Sequence, residues 1–170
     1  MLRRSYELDP AHYGAYNSYH LFLTTFNLGG DNNTRKLAIT VGENTIQYAK
    51  EETEDPLPWL TAASAEMNLY LLEIEPLLVA GQPIPLDVLQ KYRRRIGYSI
   101  DRFFEIQGAA EDRGTWEKLS FARQYEITNR ARFTKRTFAQ FDAMIGRGIK
   151  RLHPTLTGEV EQMLGAFGEP

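Results

Sequence analysis

The chain has 170 residues, with 42% hydrophobic and 25% charged side chains, which is ordinary for a globular protein able to bury its own core. It contains no cysteine, which excludes disulfides and thiolate metal sites and suits a reducing, cytoplasmic setting. The net charge of −2 conceals a division: residues 1–90 carry 5 Lys+Arg and 12 Asp+Glu, residues 91–152 carry 15 and 7, and residues 153–170 carry none and 3. An acidic half and a basic half either neutralise each other or leave a basic face for an acidic partner.

In chain order, the punctuation is helical. Met1 to Tyr6 holds two arginines with no apolar run behind them, so no signal peptide is expected. No window nears ~18 consecutive apolar residues, so no membrane span is expected. Asp9-Pro10 is a helix start and Gly29-Gly30 a stop, with Tyr16, Tyr19, Leu23 and Phe26 on one face between them. His12 and His20 are roughly 12 Å apart along such a helix. They cannot share a metal ion, and packing or surface roles are expected.

Residues 34–54 support two readings. A helix places Leu37, Ala38, Val41, Thr45, Tyr48 and Ala49 on one face and a polar arc on the other. A hairpin turns at Gly42-Glu43-Asn44 between alternating segments. The helical reading is favoured because the polar arc is nearly unbroken; the alternative is an α+β fold with a hairpin or meander in 19–50. The acidic run 51–55 closes this segment before Pro56 and Pro58.

Residues 58–80 are apolar nearly all round, the pattern of a central buried helix, which Pro76 should kink or end early. After the break at 81–85, an amphipathic helix is predicted from Leu86 to Gln107, stopped by Gly108. Leu89, Tyr92, Ile96, Ile100, Phe103 and Phe104 form its core face, and Lys91, Arg95 and Arg102 form a basic stripe. The last helix is predicted over 116–152, ending before His153-Pro154. The expected fold is therefore all-α: a helical bundle of about five helices in one domain, 1–152, with a tail at 153–170.

The last helix carries the strongest functional signal. Trp116, Leu119, Ile127, Phe138, Phe141, Met144, Ile145, Ile149 and Leu152 share one side. Lys118, Arg132, Lys135, Arg136, Arg147 and Lys150 share the other, with Phe121 and Tyr125 among them. Cations hold phosphates and exposed rings stack on bases, so this is the expected polyanion-binding face. Arg123 and Arg130 are expected to form an intrahelical ladder with Glu126. Arg93, on an apolar face, needs a partner, for which an acid of the central helix, Glu66 or Glu73, or a backbone carbonyl is expected.

Catalytic readings fare poorly. Glu66 and Glu73 lack the Glu-x-x-His context of bundle metal sites. Gly146-Arg147-Gly148 is too short for a phosphate loop, and no serine sits in a nucleophile elbow. A non-enzymatic binding or assembly protein is expected, with no cofactor or metal. Its basic face engages nucleic acid without base-specific readout. The alternative is a protein–protein adaptor or homo-oligomer whose basic half meets an acidic protein surface.

Overall fold

The computed structural model describes residues 1–25 and 32–152, with side chains for all of these but 32, 145 and 148–152. Every regular element in them is helical: α1 (Leu2–Leu8), α2 (Tyr13–Thr25), α3 (Asn32–Glu51), α4 (Leu57–Val79), α5 (Leu86–Asp112) and α6 (Phe121–Leu152). The all-α expectation holds with one helix more than foreseen. The tail expected over 153–170, with His153, and the stop at Gly29-Gly30 lie outside the described residues.

Helix α4 is the hub, packing against α2, α3, α5 and α6. Trp59, Leu60, Ala62, Ala63, Ala65, Met67, Leu69, Tyr70, Leu72 and Ile74 are all buried along it. The hairpin alternative for 34–54 is not seen. Burial of Ala38, Val41, Thr45, Ile46 and Ala49 instead follows the helical period, while Leu37 and Tyr48 sit at the exposed edges. Gly42, which the hairpin needed as a turn, is a contact point between helices. A Cβ there would lie 3.0 Å from Leu69 Cδ2 and 3.1 Å from its Cγ, so glycine is what lets α3 approach α4 this closely.

Pro76 neither ends nor truncates α4, which continues to Val79. Proline cannot donate to the carbonyl four residues earlier, and that carbonyl, Leu72 O, accepts instead from Arg35 Nη2. Arg35 Nη1 also donates to Glu75 Oε2 at 2.9 Å, pinning α3 to the end of α4. The helix then closes at Gly81 (φ 64°), where Gly81 N–H donates to Leu78 O and Gln82 N–H to Leu77 O. The same pair of bonds closes α5 at Gly114 (φ 63°), onto Glu111 O and Ala110 O. Helix α5 therefore overruns Gly108, the stop expected from sequence. Phe104, expected in the core, is exposed, whereas Phe103 is fully buried.

The N-terminal helix α1 was not foreseen. It is held by Tyr6, whose hydroxyl donates to Val41 O at 2.9 Å. Thr45 Oγ1 lies 3.2 Å from that hydroxyl and 3.0 Å from Pro10 O, so one buried polar knot ties α1 and the turn after it to α3. The helix start expected at Asp9-Pro10 is displaced: α2 begins at Tyr13, and Asp9 Oδ1 instead closes the turn before it, accepting from Ala11 N–H and His12 N–H at 3.2 and 2.9 Å. His12 Nδ1 accepts from Ala15 N–H at 3.3 Å at the start of α2. His20 is buried beside Tyr16 with ring centroids 5.5 Å apart, and burial pushes its pKa down to about 4. Both histidines have packing or capping roles. Among the described residues no helix is long and apolar enough to cross a membrane.

Candidate polyanion-binding face

Helix α6 starts five residues later than its amphipathic pattern predicts. Trp116 and Lys118 belong to the preceding turn, because Ser120 is the helix cap: its Oγ accepts from Arg123 N–H at 3.2 Å, and its carbonyl from Arg123 and Gln124 N–H. Gln124 Nε2 donates back to Trp116 O at 3.0 Å and holds that turn against the helix.

The inner face of α6 is fixed by packing and by one buried ion pair. Ile127 and Ala131 join Trp59, Leu60, Phe103 and Ile106 in a compact cluster. Phe138 is buried in the main core, and Phe141 meets Tyr70 edge-on at 5.4 Å. Of the other residues expected on this side, Trp116 is half-buried, while Leu119 and Met144 are exposed. Ile145, Ile149 and Leu152 lie outside the described side chains. Arg93, 3% exposed, donates through Nη2 to Asp142 Oδ2 at 2.8 Å. Its acid is thus supplied by α6, where the sequence pointed to Glu66 or Glu73 of the central helix. Burial holds the Asp142 carboxyl above its usual range, with Arg93 pulling the other way.

The carboxylates of the central helix serve other cations. Glu66 Oε2 lies 2.8 Å from Arg95 Nε. Glu73 Oε2 accepts from Lys91 Nζ at 2.8 Å and from the Tyr92 hydroxyl at 2.6 Å. Burial raises the Glu73 pKa, but those two hydrogen bonds outweigh it and leave it below the ordinary value. Each carboxylate thus has its own cation, and among the described residues no group of three or more His, Asp or Glu is placed to hold a metal ion.

This pairing separates the basic residues into two sets. All three members of the expected secondary stripe are matched: Lys91 with Glu73, Arg95 with Glu66, and Arg102 with Glu105. Arg123 bridges Asp55 and Glu126, each at 2.8 Å, so the Arg123–Glu126 rung of the expected ladder forms and a link to the acidic turn is added. The Arg130 rung does not form. Its guanidinium lies over the Tyr13 ring of α2 and 5.3 Å from the centroid of Phe133. Thus Lys91, Arg95 and Arg123 neutralise part of the acidic half.

The second set lies on the outer side of α6. Arg132, Lys135, Arg136 and Arg147 are exposed, as is Lys118 in the turn, and among the described residues none of these five is ion-paired with a carboxylate. Lys150 falls outside the described side chains. Lys135 Nζ sits 4.4 Å from the centroid of the Phe104 ring of α5. That cation–π contact, together with burial of Phe103, explains the outward turn of Phe104. Phe121 is 82% exposed and Tyr125 59% exposed. Their rings stack on each other with centroids 6.2 Å apart and planes 25° apart. At 100° per residue, positions 121, 125, 132 and 136 fall within one sector of the helix, and 121 to 136 spans about 22 Å.

No protein-family model, curated protein or solved structure matches the chain.

Proposed function

We propose that the outer face of α6 binds nucleic acid, single-stranded and without base-specific readout. Lys118, Arg132, Lys135, Arg136, Arg147 and Lys150 would hold phosphates. Phe121 and Tyr125 would stack on unpaired bases. The observation that carries this reading is the solvent-exposed Phe121–Tyr125 stack in line with cations that, among the described residues, no carboxylate engages. Exposed aromatic area of this kind costs solubility, and a base supplies the flat apolar partner that water does not.

The test is fluorescence anisotropy of a labelled single-stranded oligonucleotide titrated with the full chain at 50 mM salt. Saturable binding is expected, weakened strongly by Arg132→Gln/Lys135→Gln/Arg136→Gln. Phe121→Ala and Tyr125→Ala should each cost about 1–3 kcal/mol if the rings stack on bases. Absence of binding at low salt overturns the proposal.

A second reading rests on the exposed Phe133 and Met144, which adjoin the cationic stripe on α6, and on the exposed acids Glu43, Glu51 and Glu54 at the other pole of the charge division. On that reading the basic face meets an acidic protein surface, including that of a second copy. A molecular mass in solution that rises with protein concentration and falls with salt would favour it.

A further inference from the structure

A second feature lies away from the outer face of α6. Between α3, α4 and α5 is a cleft of about 240 Å³. Its wall includes Glu66, a carboxylate-bearing residue only 2% exposed, and burial holds that carboxyl above its ordinary pKa against the pull of Arg95. A buried carboxylate is costly, and Arg95 is half-exposed, so the pair is a poor device for stability alone. What it achieves is orientation. Arg95 Nε lies 2.8 Å from Glu66 Oε2 and its guanidinium carbon 5.4 Å from the Tyr92 ring centroid, so the carboxylate and the ring together hold the guanidinium at the cleft. Among the described residues no carboxylate takes its two terminal nitrogens, which form the fork suited to an oxyanion.

Two more cations line the same cleft. Lys50 of α3 and Arg94 of α5 are exposed, and among the described residues neither is ion-paired with a carboxylate. Three cations against one carboxylate leave an excess of two positive charges. A phosphate monoester carries close to two negative charges at neutral pH. The remaining wall is Ile46, Ser99 and two aromatic rings, Trp59 and Tyr98, which meet edge-on with centroids 5.8 Å apart. Of the two rings Tyr98 is the exposed one, with Trp59 buried behind it, so the open aromatic surface is that of Tyr98, and the volume admits only a small ligand.

We propose that this cleft binds a small phosphate monoester, its dianion held by Arg95, Arg94 and Lys50 and its apolar body against Tyr98. Glu66 is a positioning residue that acts through Arg95.

The experiment is a calorimetric titration of the full chain with phenyl phosphate, with benzoate as a second arm. Saturable one-to-one binding of phenyl phosphate is expected, and benzoate should bind more weakly because it brings one charge. Lys50→Gln/Arg94→Gln alters two exposed residues, so the fold should persist, and affinity should fall by about tenfold or more. Arg132→Gln/Lys135→Gln/Arg136→Gln should leave phenyl phosphate binding unchanged, which separates this site from the α6 face. No saturation by about 10 mM phenyl phosphate would overturn the proposal. So would equal affinity for benzoate, or an affinity unchanged in the Lys50/Arg94 variant.

Discussion

Asp142→Ala removes the carboxylate that Arg93 engages, from a pair in which the two side chains are 4% and 12% exposed. The guanidinium then keeps its charge in a site that water does not reach. Breaking a buried pair on one side costs roughly 3–5 kcal/mol, against a total stability of about 5–15 kcal/mol for a protein of this kind. The loss should be specific to the pair, since replacing both residues by apolar ones of similar volume removes the desolvation cost together with the attraction. Urea unfolding of the parent, Asp142→Ala, Arg93→Met and Arg93→Met/Asp142→Leu proteins measures this directly. The single variants should each lose at least about 3 kcal/mol, and the double variant should lie within about 1 kcal/mol of the parent or above it. A cost below about 1 kcal/mol for Asp142→Ala, typical of a surface pair, would refute the view that this bond fixes the inner face of α6.

Acid should weaken the fold through His20. Its folded pKa of about 4 lies below the usual 6.5, so the stability it contributes is present above pH 6.5 and is lost as pH falls towards 4. The full loss is about 3 kcal/mol, and His20→Leu should remove this component of the pH dependence in thermal unfolding. Two helical glycines should respond oppositely to alanine. Among the described residues Gly108 has nothing within 4 Å of a new Cβ, so Gly108→Ala should stabilise by up to about 1 kcal/mol. Gly42→Ala drives a methyl into Leu69, and overpacking of about 1–3 kcal/mol should exceed the helix-propensity gain and lower the Tm.

What the sequence made legible was whatever depends on local periodicity. The all-round apolar run of α4, the polar arc of α3 and the two sides of α6 follow from residue spacing, and the helices lie where the spacing puts them. Boundaries failed where a single residue decides them. Ser120 capped α6 later than its amphipathic pattern suggested, and Gly114, not Gly108, took the left-handed turn, because only the former meets a carbonyl pattern that closes there. Helix α1 escaped notice because its seven residues carry a single buried anchor, Tyr6. Ion-pair partners were legible only within a turn, as with Arg123 and Glu126. Arg93 with Asp142, 49 residues apart, and Glu66 with Arg95 depend on how helices are laid together, which spacing does not encode. The same limit hid the cleft of α3, α4 and α5, whose residues come from three helices.

The claim about the outer face of α6 is tested most directly by the salt dependence of single-strand binding. With six cations on phosphates, the slope of log affinity against log salt should be about −4, a loss of roughly 300-fold between 50 and 200 mM. Arg132→Gln/Lys135→Gln/Arg136→Gln should reduce that slope by about 2 while leaving the fold intact. A slope near zero, or one that the triple variant leaves unchanged, would contradict the assignment of this face to phosphates.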